Sequence, residues 1–223
     1  MCNLIKVENL FFSYKDKNIF SDFNLTINKG DILAVLGHNG AGKTTLFKLI
    51  AGLLKSNGGK ILKDIDSSKI GYMNENLGLY QFLTGYENID ISCQRDNIMY
   101  DIEKIDDLLS DFGLNSYKNK YVRDYSTGMK RKLSLLSIIL SKPELFLLDE
   151  PFTGIDPISL NLMITNLKEE SNKDNAIVFI NHELESTKRL CNKFLIIRDG
   201  ILTFYSDKKE DIQNLNEIYI KYS

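Results

Sequence analysis

The sequence predicts an α/β fold: a mostly parallel sheet, an antiparallel β subdomain ahead of it, and a helical subdomain inserted into it. Three patterns carry that expectation. Residues 5–27 alternate with the period of strands. Short, wholly apolar runs at Ile32–Leu36, Leu145–Leu148 and Ala176–Ile180 have the length and composition of strands buried on both faces. Between the first and second of these runs, from about Asn74 to Ser141, the apolar period becomes helical.

Each element follows from its own residues. Ile5 and Val7, then Phe12 and Tyr14, then Leu25 and Ile27 mark N-terminal strands. Asn28-Lys29-Gly30-Asp31 reads as a tight hairpin turn, glycine supplying the positive φ. After the run 32–36, glycines crowd at 37, 40 and 42. Lys43–Leu54 then reads as a helix with Leu46, Leu49, Ile50 and Leu53 on one face. Lys60–Ile65 and Lys69–Met73 are strands joined by a polar turn. In the insert, Ile102, Ile105, Leu108 and Leu109 form one stripe, and Met129, Leu133, Leu136 with Ile139 or Leu140 a second. Strand–helix alternation resumes at Leu145–Asp149 and continues with a helix from Pro157 to about Glu170, proline sitting in its first turn where the missing N–H costs little. Strand Ala176–Ile180, helix Glu183–Leu190, strand Phe194–Ile197 and a turn at Asp199-Gly200 complete the core, and a short helix and tail close the chain. The expected division is one domain over 1–223: core 1–73 and 142–205, helical subdomain 74–141, C-terminal helix and tail 206–223.

Composition narrows the function. The 223 residues suffice for a substantial core. A net charge of −2 gives no ground for expecting a nucleic-acid partner. Cys2, Cys93 and Cys191 are too scattered for a zinc site or disulfide framework, and Cys191 follows Leu184 and Thr187 at helical spacing as a buried thiol would. No basic stretch leads into an apolar run at the N-terminus, and no apolar run approaches the ~20 residues of a membrane span. If the chain works at a membrane, another protein is expected to hold it there.

Three motifs carry chemistry. Gly37-His38-Asn39-Gly40-Ala41-Gly42-Lys43-Thr44, with Thr45 following, matches the phosphate-loop pattern and makes the core a P-loop NTPase core. Its glycines allow several backbone N–H groups to face one anion, and the helix starting near Gly42 adds the positive end of its dipole. Lys43 is expected at the β- and γ-phosphates of ATP, and the Thr44 hydroxyl on Mg²⁺. Leu145–Asp149 with Glu150 is an apolar strand ending in two carboxylates, Asp149 placed for Mg²⁺ and Glu150 for polarising a water. Such a pair is ordinarily a solvated strand end, but beside a phosphate loop the catalytic reading prevails. Tyr125-Ser126-Thr127-Gly128-Met129 opens a helix. Ser126 or Thr127 can cap it, and the hydroxyls, Gly128 and the dipole can also hold a second phosphate.

Together these landmarks resemble the nucleotide-binding domain of ABC transporters over essentially the whole chain, in that family's order: 37–45, Asn74-Glu75, 125–129, Asp149-Glu150, Gly154-Ile155-Asp156-Pro157 and His182. Ile70–Met73, Leu83–Asn88, Tyr125–Lys130 and His182–Glu185 make it most similar to stand-alone, ABC-2-like export subunits. The resemblance implies that Tyr14 stacks on adenine, that His182 contacts the γ-phosphate and supports the water–glutamate pair, and that Glu75 replaces the usual glutamine at Mg²⁺. It implies that two domains, identical or paralogous, pair head to tail so that Ser126-Thr127-Gly128 of one completes the ATP site of the other. It also implies ATP hydrolysis coupled to export through a separate transmembrane permease at the cytoplasmic face of the membrane, with residues 76–90 and their aromatics Tyr80 and Phe82 touching that permease. Thr127 departs from the usual glycine and narrows the backbone's freedom. Two other readings compete: a soluble ABC-type regulatory or assembly ATPase, and a phosphate-loop small-molecule kinase, for which no arginine-rich lid is visible.

Overall fold

The computed structural model describes residues 3–95 and 102–223, the side chains of 102–104 excepted. Cys2 and the side chain of Ile102, both singled out above, lie outside the described residues. Two sheets form among the described residues. In the first, β1 (Asn3–Tyr14) pairs antiparallel with β2 (Lys17–Asn28) on one side and β4 (Gly58–Lys63) on the other. In the second, β5 (Ile70–Met73), β6 (Leu145–Asp149), β7 (Ala176–Ile180), β3 (Ile32–Leu36) and β8 (Lys193–Arg198) run parallel in that spatial order, and β9 (Ile201–Ser206) closes the edge antiparallel.

The apolar runs become strands because they are covered on both faces. Every residue of β3, β6 and β7 is buried. One face (Leu33, Val35, Leu145, Leu147, Val178) packs with Leu46, Leu49 and Ile50 of α1 (Lys43–Ile50) and with Ile5, Val7 and Phe23 of the antiparallel sheet. The other (Ala34, Leu36, Phe146, Leu148, Phe179) packs with Met163 and Leu167 of α5 (Pro157–Asn172) and with the helical residues. Those helices are α2 (Gly85–Arg95), α3 (Ile102–Asp111) and α4 (Thr127–Leu140), all lying between β5 and β6 in sequence. Ile105 and Leu109 of α3, and Leu133 and Leu136 of α4, are buried, as their spacing predicts. After β7 come α6 (Leu184–Leu190) and, beyond β9, α7 (Lys209–Gln213) and α8 (Leu215–Tyr222), two short helices where one and a tail were expected. Cys191 is buried just past α6, and burial pushes its thiol up to about 12.

Two local expectations are corrected. Asn28–Asp31 is not a hairpin turn: it carries the chain from the antiparallel sheet into β3. Gly30 does take φ +74, but the turn is set by Asp31, whose carboxylate accepts from the Asn28 backbone N–H at 2.9 Å and pairs with Lys193 at 2.6 Å. The hairpin turn is Lys15-Asp16, between β1 and β2. The predicted helix 43–54 stops at Ile50, and Leu53 is 63% exposed rather than on the buried face. Gly52 at φ +80 supplies the left-handed residue that commonly ends a helix.

Candidate active site

The parallel strands β3, β6 and β7 end at one edge, and the residues following them meet in a cleft of about 530 Å³. After β3 comes the glycine loop. Gly37 is in the left-handed region at φ +145, and a Cβ there would sit 2.2 Å from the Ile197 carbonyl oxygen, so only glycine lets the loop lie against β8. Gly42, at φ +106, sits at the N-cap of α1 with no side-chain cap, which leaves the helix's first N–H groups for another acceptor. Lys43, only 6% exposed, folds back so that its Nζ donates to the carbonyls of Gly37 at 2.7 Å and His38 at 2.9 Å. Burial holds its ammonium below the usual lysine range, against the opposing pull of Asp149 and Glu150. This is a cation already stripped of most of its water and placed beside unsatisfied amides.

At the tip of β6, Asp149 accepts from the Thr44 hydroxyl at 2.8 Å. Burial raises its carboxyl above the usual range, and the nearby Glu75 and Glu150 push the same way. Glu75, Glu150 and the Thr44 hydroxyl line the cleft with Asp149, yet among the described residues no three His, Cys, Asp or Glu side chains are gathered closely enough to hold a metal ion by themselves. Glu150 leaves the strand at φ +51, a left-handed conformation unusual for glutamate, and its own N–H donates to Ile180 O at 3.0 Å. Its carboxylate is held from two sides. His182, just beyond β7, places Nε2 3.0 Å from Oε1, and the Thr153 hydroxyl donates to Oε2 at 3.0 Å.

Of the residues expected from sequence, Tyr14, Asn39, Gly40, Gly42, Lys43, Thr44, Thr45, Glu75, Asp149, Glu150 and His182 line this one cleft. Tyr14 is 44% exposed at its mouth, its ring set edge-on to Phe12 at 4.8 Å. Gly37, His38 and Ala41 are not among the residues lining the cleft. Ala41 is buried, and the His38 ring turns away to Asp199 at 3.4 Å. Ser126, Thr127 and Gly128 are not in the cleft. They open α4 elsewhere, with the Ser126 hydroxyl accepting from Met129 N at 3.2 Å and both Ser126 and Thr127 exposed. Sequence reasoning missed Lys17, Ile19 and Ile180 in the lining. Lys17 could have been found, since it faces Tyr14 across the hairpin once that turn is placed at 15–16. Thr153 carried no local signal. Tyr80 and Phe82 are both solvent-facing, Phe82 at 76%, with the Arg123 guanidinium 5.8 Å from its ring.

Fold and cleft together define a phosphate-loop nucleotide-binding domain. The family model described as ABC transporter matches residues 20–153, more than half of the sequence. The lipopolysaccharide export system ATP-binding protein LptB of Haemophilus influenzae is 28% identical over 239 residues, covering 98% of this chain and 97% of that protein. The bacitracin transport ATP-binding protein BcrA of Enterococcus faecalis is 32% identical over 232 residues, covering 99% and 73%. A solved ATP-binding subunit of an ABC transporter superposes with a TM-score of 0.86 at 25% identity, over 98% of this chain and 99% of that one. The chain belongs to the ABC transporter family and is one of its ATP-binding, ATP-hydrolysing subunits. Among the described residues no helix is long and apolar enough to cross a membrane.

Proposed function

We propose that this chain powers export through a separate membrane-spanning permease, working at the cytoplasmic face of the membrane as one of two cassettes that clamp ATP between them. The observation that carries the hydrolytic half is the two-sided hold on Glu150, by His182 and Thr153, in the same cleft as Lys43, Thr44 and Asp149. In this reading Tyr14 stacks on the adenine. The backbone of 37–42 and of Thr45 cradles the phosphates, with Lys43 on the β- and γ-groups. Glu150 takes a proton from the attacking water, and His182 orients that carboxylate and meets the γ-phosphate. Mg²⁺ would be held by Thr44, Asp149 and Glu75, where it supplies positive charge to the phosphate oxygens. Glu75, in place of a neutral amide, can still ligate the cation but adds a negative charge beside the phosphates.

The two-cassette half of the reading is supported by Ser126-Thr127-Gly128, an exposed helix start outside its own cleft and therefore open to the phosphates of a second subunit, a copy or a paralogue. The helical segment 74–141 is the transmitting subdomain of the single domain 1–223, with core 1–73 and 142–205 and tail 206–223. The exposed Tyr80 and Phe82 suit contact with the permease. Export is favoured by the likeness to LptB.

A Glu150→Gln chain tests the chemistry: it is expected to form a stable dimer in ATP by size-exclusion chromatography and to turn over at least ~10²-fold more slowly. Unchanged steady-state turnover would remove Glu150 from the general-base role. Affinity capture of the full chain from detergent-solubilised membranes tests the partner: recovery of a multi-span protein supports the permease, and recovery of ribosomes without one overturns it.

A further inference from the structure

One buried side-chain polar atom among the described residues has no hydrogen-bond partner: the hydroxyl of Tyr72. Folded chains pair nearly all such atoms, and one left unpaired costs stability. Phenylalanine would make the same ring contact, an edge-on approach to Phe47 of α1 at 6.4 Å, without that cost. The surroundings of the hydroxyl supply an acceptor. Tyr72 lies across from Leu147 in the β5–β6 pairing, and Asp149 follows Leu147 on the same face of β6. Two residues of strand span about 6.6 Å, within reach of a tyrosine side chain. Burial first, then Asp149, Glu75 and Tyr14, push the Tyr72 phenol up to about 12, so it keeps its proton and stays a donor near neutral pH. Asp149 lacks donors. Its Oδ2 accepts from Thr44 at 2.8 Å, and no other donor among the described residues reaches its buried carboxylate. A buried donor without an acceptor thus stands beside a buried carboxylate with an oxygen to spare.

We propose that Tyr72 is a positioning residue for Asp149, its hydroxyl donating to the carboxylate oxygen that Thr44 leaves free when the cleft is loaded. This rests on the reading of Asp149 as a holder of Mg²⁺, so the test separates the two. In the structure the bond is not made, and the hydroxyl is a net cost. With nucleotide and cation bound, Asp149 must stay ionised and in one orientation. A charge-assisted bond from a phenol that Phe47 braces fixes that orientation. Glu75 is the other carboxylate near the hydroxyl, but it is exposed, and a bond to it would leave Asp149 with Thr44 alone. Removing the hydroxyl therefore has opposite signs in the two states: it helps the free chain and harms the loaded one.

Binding of a fluorescent ADP analogue to the full chain is titrated in EDTA and at rising Mg²⁺ for Tyr72→Phe, Asp149→Asn, Glu75→Gln and the double variant Tyr72→Phe/Glu75→Gln. Urea unfolding of Tyr72→Phe without nucleotide is measured beside it. Tyr72→Phe is expected to match or exceed the parent's urea midpoint and to bind the analogue as the parent does in EDTA. The Mg²⁺ concentration that half-maximally tightens binding should rise about tenfold, the loss typical of removing a group that orients a metal-holding side chain. The same factor should appear in the Glu75→Gln background, because the hydroxyl acts through Asp149. An unchanged Mg²⁺ requirement in Tyr72→Phe overturns the proposal. So does an equal loss of affinity in EDTA, a lowered urea midpoint, or an effect that vanishes in Glu75→Gln and so assigns the hydroxyl to Glu75. An Asp149→Asn chain with the parent's Mg²⁺ requirement instead removes Asp149 from the cation, and with it the reading beneath the proposal.

Discussion

The chain builds two glycine-bearing helix starts, and it equips them in opposite ways. At α1 the N-cap is Gly42 with no capping side chain, the adjoining lysine is buried, and the loop is wedged against β8. At α4 the N-cap is Ser126, which caps Met129 N with its own hydroxyl, and Ser126 and Thr127 face solvent. A helix left uncapped inside a cleft keeps its donors for a ligand, and the surrounding fold carries the cost of holding them dry. A helix capped by its own serine is stable without a ligand, so an exposed surface can present it to something that comes and goes. In the proposed two-cassette arrangement, the difference sets which half of the ATP site is fixed and which half is brought.

The largest effect should come from removing the charge that the first start buries. Lys43→Met deletes a side chain that donates to the Gly37 and His38 carbonyls beside the cleft, and turnover should fall by ~10²–10³, the loss typical of a preorganised electrostatic donor. A phosphate-release assay at saturating ATP reads it, and turnover within tenfold of the parent would detach Lys43 from the chemistry. Substituting the glycines sharpens the contrast. Gly37→Ala forces a Cβ to within 2.2 Å of the Ile197 oxygen at φ +145, and backbone strain alone should lower stability by about 1–3 kcal/mol in urea unfolding. Gly128 has helical geometry and alanine is the better helix former, which offsets part of its 2.8 Å approach to Gly154 O. Gly128→Ala should therefore change stability by well under half as much as Gly37→Ala, while still impairing ATP-driven dimerisation. Equal destabilisation would mean the two starts are not differently built.

Burial at the first start also has an electrostatic cost that the second avoids. Asp149 is raised above its ordinary carboxyl value by burial, then by Glu75 and Glu150, so its ionised form destabilises the nucleotide-free fold. The native state then binds the proton more tightly than the unfolded one, and stability falls as pH rises from about 3.8 through the raised value, staying lowered above it. Asp149→Asn keeps an acceptor for Thr44 and removes the charge. It should abolish hydrolysis yet stabilise the free chain at pH 7 by about 0.5–2 kcal/mol. That gain should shrink in urea titrations as pH drops toward 3.8, and a gain independent of pH would show that charge is not its source.

What was legible in the sequence follows the same division between local and assembled features. The bounds of Leu145–Asp149 and Ala176–Ile180 were read correctly because a strand covered on both faces must be apolar throughout and little else is so short. The cleft was legible because its residues come in contiguous runs at strand ends. Leu53 misled because periodicity continues past Ile50 and says nothing about the stop that Gly52 imposes. The turn at 28–31 misled because glycine marks a bend but not which sheet the chain enters next. Arg131 and Thr153 were invisible for a deeper reason: they lie 22 residues apart, and only the packing of α4 against the loop after β6 joins them.

The smallest effect tests the second start directly. Ser126→Ala removes the cap on Met129 N and should cost about 1 kcal/mol of stability. Ser126→Asp keeps a capping oxygen and adds a charge that suits the helix dipole, so its stability should equal or exceed the parent's by a few tenths of a kcal/mol. If the start of α4 exists only to begin a helix, the aspartate variant should behave as the parent in every assay. If it meets the phosphates of a second subunit, the carboxylate repels them. Ser126→Asp should then bind the fluorescent ADP analogue normally as a monomer and fail to dimerise in ATP when introduced with Glu150→Gln. A well-folded aspartate variant that still dimerises would return Ser126 to a plain helix cap.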